Sequence, residues 1–206
     1  MIKNIFWDFD GTLFDTYPPI AKSIHLGLKQ LGHHIPVEET LVLSKISLTY
    51  CLETLAEKTG SSSSDLEEVF DAQYALLTLE EQKPFPGVQQ VLEKVISVGG
   101  INVIITHRGS TTMLKLLEHY GLKNYFSGWL TADDGFTRKP DPAAFFAALQ
   151  SYNVNASETL GVGDRGLDVE ASRAAGLQTA FYGDVPEGVQ ADILLKDYLK
   201  LLAHIG

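Results

Sequence analysis

The run Asp8-Phe9-Asp10-Gly11-Thr12-Leu13 sets two carboxylates two positions apart at the end of a short apolar segment. Open α/β sheets place their ligand sites just beyond the carboxyl ends of strands. In a strand, residues i and i+2 point to the same side, so Asp8 and Asp10 converge if strand geometry persists that far. Gly11 then allows a sharp turn and Thr12 can bond locally within it. Two close carboxylates repel unless a cation or a shared proton relieves them. A hard divalent ion with oxygen ligands fits, and magnesium is the usual partner of phosphates. The plainer alternative is a turn whose aspartates only cap backbone amides.

Three further segments fit the same chemistry. Gly161-Val162-Gly163-Asp164-Arg165-Gly166-Leu167-Asp168 is a second acidic cluster at the end of an apolar run. Asp164 and Asp168 are four apart and share a face if a helix begins here; alternatively, Asp168 is a first-turn residue favoured by the helix dipole. Lys139, in Arg138-Lys139-Pro140-Asp141-Pro142, is flanked by backbone-stiffening prolines, and held there it would neutralise phosphate oxygens. Thr106, before His107-Arg108-Gly109-Ser110, offers a hydroxyl and backbone amides at an expected helix N-terminus, a combination that binds anions or simply caps the helix.

The elements that must position these residues follow from periodicity. Short apolar runs at 5–9, 101–106, 129–131, 159–162 and 179–182, with a possible edge strand at 192–195, read as strands buried on both faces of a parallel sheet. Helical spacing recurs at Val88, Val91, Leu92, Val95 and Ile96, then at Met113, Leu114, Leu117 and Tyr120, and again at Phe145, Phe146 and Leu149. Pro142 is expected in the first turn of the last of these, with Asp141 as N-cap. Between residues 16 and 83 no strand-like run appears. Helical patterns there (20–31, 38–43, 50–56, 66–77) are broken at Gly32-His33-His34, at 44–49 and at 60–64. The expected fold is α/β: a doubly wound parallel-sheet core, residues 1–15 and 84–206, with a small all-helical cap, residues 16–83, inserted after the first strand.

Bulk composition excludes several function classes. A net charge of -10 with no basic stripe disfavours nucleic-acid backbones and anionic membranes. No apolar run approaches the roughly 20 residues of a spanning helix. The single cysteine, Cys51, permits no internal disulfide and reads as a small buried residue. A cytoplasmic protein is expected, and with this charge a small phosphorylated substrate would need a local cationic pocket.

Taken in order, Asp8-Phe9-Asp10-Gly11-Thr12-Leu13, Thr106, Lys139-Pro140 and Gly163-Asp164 to Asp168 resemble the four motifs of the haloacid dehalogenase superfamily along the whole chain. The insert looks like its C1-type cap, and the glycine-rich fourth motif is similar to that of phosphoglycolate-phosphatase-like members. The resemblance implies a Rossmann-like core and a magnesium-dependent phosphatase. It implies Asp8 as nucleophile and Asp10 as the acid, then base, that moves protons. Magnesium would be held by Asp8, the Asp10 backbone carbonyl and Asp164, with Asp168 as ligand or neighbour. Thr106, the His107 amide and Lys139 would bind the phosphoryl group. His107 departs from the asparagine or serine common after the motif-two threonine. Sugar-phosphate mutases with this cap carry an arginine between the second and third cap helices, where this chain has only Lys45, a candidate substrate contact. A phosphomutase, or a non-catalytic phospho-ligand module on the same fold, stands as the alternative.

Overall fold

A computed structural model describes all 206 residues. Six strands form one wholly parallel sheet: β1 (Asn4–Trp7), β2 (Asn102–Ile105), β3 (Gly128–Leu130), β4 (Thr159–Gly163), β5 (Gln178–Tyr182) and β6 (Ile193–Leu195). Their spatial order is β3-β2-β1-β4-β5-β6. The chain therefore winds outward from β1 to β3 and returns to start again at β4, beside β1. That reversal opens a crevice beyond the carboxyl ends of β1 and β4. Asp8 and Asp164 are the first residues past those two ends.

Every residue of β1, β2 and β4 is buried, as central strands covered on both faces must be. The edges depart from that expectation. All three residues of β3 are half-buried, and in β6 Leu194 is exposed, because an edge strand has a neighbour on one side only. Alternation along β1 sends successive aromatics to opposite faces. Phe6 meets Phe145 at 6.4 Å between ring centroids, and Trp7 meets Tyr198 at 5.8 Å.

Four helices complete this unit: α5 (Val88–Ser97), α6 (Ser110–His119), α7 (Ala143–Ser151) and α8 (Gly166–Ala174), numbered after four helices of the insert. α7 starts one residue later than expected, with Pro142 rather than Asp141 at the N-cap, although Asp141 Oδ1 still accepts from the Ala143 amide at 2.8 Å. Phe146 and Ile96 fall on the expected apolar spacing yet are about half exposed. Asn102 ties the sheet to its cover: its Oδ1 accepts from Trp7 Nε1 at 3.0 Å, and its Nδ2 donates to the carbonyls of Leu92 and Tyr125 at 3.2 and 3.1 Å.

The chain divides into two compact units, Met1–Phe14 with Pro84–Gly206, and Asp15–Lys83. The second unit is all helical: α1 (Tyr17–Gln30), α2 (Val37–Ile46), α3 (Leu48–Thr59) and α4 (Ser63–Tyr74). Its core gathers Ile24, Leu28, Cys51, Leu55, Leu66 and Phe70. Cys51 is fully buried, as its bland reading required, and burial pushes its thiol up to about 12. Gly27 lets α1 approach α4 closely; a Cβ there would lie 2.9 Å from Val69 Cγ2. The break expected over 44–49 shrinks to one residue. Ser47 alone is extended, and its hydroxyl accepts from the Tyr50 amide at 3.0 Å, so α2 runs to Ile46 and α3 starts at Leu48. Lys45 thus lies in the last turn of α2 rather than in a loop.

Candidate active site

Two strand ends and one loop bring four charged side chains together in the α/β unit. Asp8 follows β1, its amide donating to the Val162 carbonyl at 2.9 Å, which aligns it with the end of β4. Lys139 reaches in from the loop before α7 and is buried to 6% exposure. Its Nζ donates to Asp8 Oδ1 at 2.7 Å, to Asp168 Oδ1 at 2.6 Å and to the Ile105 carbonyl at 2.9 Å. Those three acceptors use all three ammonium protons. The exposed loop lysine that composition alone would favour is therefore not what is found.

Asp164 and Asp168 are not stacked on one helix face. α8 begins at Gly166, so Asp164 stands before it in the turn, where its Oδ1 accepts from Thr12 Oγ1 at 3.2 Å. Asp168 sits in the first turn of α8, and its Oδ2 accepts from the Arg165 amide at 3.1 Å. Asp168 thus caps its helix with one oxygen and holds Lys139 with the other. Gly163 makes this possible, since a Cβ there would fall 2.2 Å from Asp168 Cβ.

Asp8, Asp164 and Asp168 each place a carboxylate oxygen within 4.8 Å of the others'. Asp8 Oδ2 is buried without a hydrogen-bond partner. A buried carboxylate oxygen that nothing satisfies, facing two further acids, is costly unless a cation is near. The set fits a hard divalent ion with oxygen ligands.

Burial, followed by the charge of Asp168, pushes Asp8 up to about 6, against the opposing pull of Lys139 and Arg165. For Lys139 burial disfavours the charge, but Asp168 and Asp8 together outweigh it and raise its pKa. His107 moves down to about 3, first through burial and then through the neighbouring Lys139, Arg138 and Arg165 charges, with Asp168 opposing. A neutral ring agrees with its bonding. His107 Nε2 accepts from the Lys139 amide at 2.9 Å, which puts the ring proton on Nδ1 and fixes the lysine's backbone.

β1 ends at Trp7, so the strand period of two does not extend to Asp10. After it Gly11 adopts a positive φ of 74° and its amide donates to the Phe14 carbonyl at 2.9 Å. The Asp10 carboxylate instead meets Arg108, whose Nη2 lies 2.6 Å from Oδ1. Thr106 is buried at the end of β2, and its Oγ1 accepts from the Arg108 amide at 3.1 Å. The helix N-terminus expected just after it begins only at Ser110, and it is already served. Asp133 Oδ2 accepts from the Ser110 amide at 2.8 Å and its hydroxyl at 2.6 Å. Lys45 is an exposed residue of the helical unit, where its charge acts on Asp15. Arg108 and Asp133 are contributors that pattern reading passed over. The only local hint was a charged residue two positions after Thr106.

Residues 5–182 match the family described as haloacid dehalogenase-like hydrolase, and the chain belongs to that family. By class it is a phosphoric monoester hydrolase, similar to phosphoglycolate phosphatases. The phosphoglycolate phosphatase of Yersinia pestis is 29% identical over the full chain and 94% of its own length. A hydrolase from Streptococcus pneumoniae shares 29% identity with a TM-score of 0.67, covering 89% of this chain and 94% of that one. A subfamily IA hydrolase of the same superfamily from Geobacter sulfurreducens, 20% identical, superposes with a TM-score of 0.75 over 100% and 97% of the two chains, a likeness of fold.

Proposed function

We propose that the chain is a magnesium-dependent phosphatase that hydrolyses a small phosphate monoester through an aspartyl-phosphate on Asp8. The observation that carries this reading is the division of the Asp8 carboxylate. Lys139 holds Oδ1 at 2.7 Å, while Oδ2 is buried and unpartnered. One oxygen is oriented and the other is left available.

Asp10, a carboxylate against Arg108 in the resting site, takes up a proton from solvent on a lone pair that Arg108 does not use; Asp8 then attacks phosphorus, the ester P–O bond breaks, and Asp10 gives that proton to the departing alcohol oxygen. Asp10, now a carboxylate, takes a proton from water as the water oxygen attacks phosphorus. The Asp8–phosphorus bond then breaks and phosphate leaves. Thr106, the His107 amide and Lys139 surround the transferred group. Lys139, saturated by Asp8, Asp168 and Ile105, serves first to offset the charge of the nucleophile. Asp8 and Asp164 would hold magnesium, with Asp168 kept to Lys139, and the ion would supply positive charge toward the phosphoryl oxygens.

The name of the Yersinia relative makes phosphoglycolate the first substrate to try, with sugar phosphates next. No helix is long and apolar enough to cross a membrane; the acidic charge and lone buried cysteine support action on a diffusible metabolite in the cytoplasm. The test is phosphate release from p-nitrophenyl phosphate, 2-phosphoglycolate and sugar phosphates, with magnesium and with EDTA. Magnesium-dependent release that disappears in Asp8→Asn is expected. Turnover without the ion, or surviving that substitution, would overturn the reading.

A further inference from the structure

Arg108 is more tightly built in than a loop arginine need be. Its Nε donates to Asp10 Oδ1 at 3.0 Å and Oδ2 at 3.1 Å, and its Nη2 to Oδ1 at 2.6 Å. Nη1 donates to Thr112 Oγ1 at 3.3 Å, and the guanidinium carbon stands 5.4 Å from the centre of the Phe9 ring. Its backbone is fixed as well, the amide on Thr106 Oγ1 and the carbonyl accepting from Ala132 at 3.2 Å. The side chain is 7% exposed and that of Asp10 23%. An exposed ion pair of two free side chains orders little. Here the cation is pinned by an aromatic face, a hydroxyl and two backbone bonds, and it presents a rigid fork to one carboxylate.

We propose that Arg108 is the positioning residue for Asp10, setting the rotamer from which that carboxyl delivers its proton to the ester oxygen. The inference rests on the acid–base role given to Asp10 above. It also narrows the substrate class. A chain that fixes its proton donor this firmly is built for alkyl phosphates, whose alkoxide must be protonated to leave. An aryl phosphate such as p-nitrophenyl phosphate loses a stable phenolate and has little need of the proton.

The ratio kcat/KM covers only the steps through departure of the alcohol, so leaving-group protonation is read there. Ethyl phosphate serves as the alkyl probe because it carries no charge besides its phosphate. In magnesium, Arg108→Ala should lower kcat/KM for ethyl phosphate by about 100-fold, the usual loss from a misplaced reacting group, and for p-nitrophenyl phosphate by less than about tenfold. Arg108→Lys, which keeps the charge but not the fork, should fall between Arg108→Ala and wild type. Asp10→Asn should show the same selectivity for the alkyl ester, and adding Arg108→Ala to it should cost less than about threefold more. The aryl ester also reports the folded fraction, so unfolding lowers both rates together. Equal losses on both esters, or a loss confined to KM for carboxylate-bearing 2-phosphoglycolate, would overturn the positioning role while leaving the phosphatase reading intact. An Asp10→Asn enzyme without alkyl selectivity would instead overturn the role given to Asp10, and this inference with it.

Discussion

Replacing Asp8 should make the protein more stable. Three carboxylates, Asp8, Asp164 and Asp168, meet at the strand ends against two cations, Lys139 and Arg165, so the buried cluster carries excess negative charge. Burial, then Asp168, raises Asp8 from 3.8 to about 6. A carboxylate raised in the folded chain binds more protons there than in the unfolded chain throughout that window. Stability therefore falls as pH rises from about 4 toward 6, and the deficit is complete above it. At about 1.4 kcal/mol per pKa unit, the strain at neutral pH is about 3 kcal/mol. Asp8→Asn keeps the shape, leaves an oxygen that can accept from Lys139, and removes the charge. In EDTA at pH 7.5 the variant should be more stable than wild type by about 3 kcal/mol, by roughly half that at pH 5, and hardly at all near pH 4.

Urea unfolding followed by tryptophan fluorescence reads this directly, because Trp7 and Trp129 both lie in the α/β unit. The midpoint should rise by roughly 1 M or more. Saturating magnesium should shrink or reverse the gap, since an ion that binds only the folded wild type adds about 3 kcal/mol at a hundredfold excess over its Kd. A variant no more stable than wild type at pH 7.5 in EDTA, or a gap that does not narrow on acidification, would refute the reasoning.

Three further substitutions separate framework from site. Asn102→Ala strands Trp7 Nε1 and the carbonyls of Leu92 and Tyr125, and should cost about 3 kcal/mol in urea unfolding. Gly163→Ala and Gly161→Ala both create clashes, at 2.2 Å with Asp168 Cβ and at 2.1 Å with Ser172 Oγ, and each should lose about 1 to 3 kcal/mol. Only the first should also lower kcat of the folded enzyme, by about 100-fold, because only the first displaces the residue that holds Lys139. Equal kcat values in the two variants would show that Asp168 does not set the lysine.

The central strands were legible because a strand buried on both faces leaves a continuous apolar run, and that is a local signal. The half-buried residues of β3 were misjudged because its edge position is decided by the order of strands, whereas the run at 192–195 was read as an edge strand and β6 lies at the edge. Asp8, Thr106, Lys139, Asp164 and Asp168 could be picked out by type and order. What holds each of them could not, since Lys139 lies 131 positions from Asp8 and Arg108 lies 98 from Asp10. The α6 terminus shows the converse error. A polar turn before a helix looks like an open anion site, yet Asp133, 23 positions on, already fills it.

Those distant partners resolve a difficulty that motif spacing alone leaves standing. Asp8 and Asp10 are two residues apart and chemically identical, yet the proposed reaction asks one to attack phosphorus and the other to exchange protons. The fold separates them by giving each its own cation. Asp8 is sunk beside Lys139, short of compensating charge, with one oxygen unpartnered. Asp10 is less buried and gripped across both oxygens by Arg108. An under-compensated carboxylate is a nucleophile that waits for a counter-charge, whereas a clamped one is held in aim. Lys139 and Arg108 come from different loops, so the two roles can be perturbed one at a time. Loss of the Arg108 clamp should show in the leaving group, and loss of the Asp8 charge in the stability of the unliganded fold.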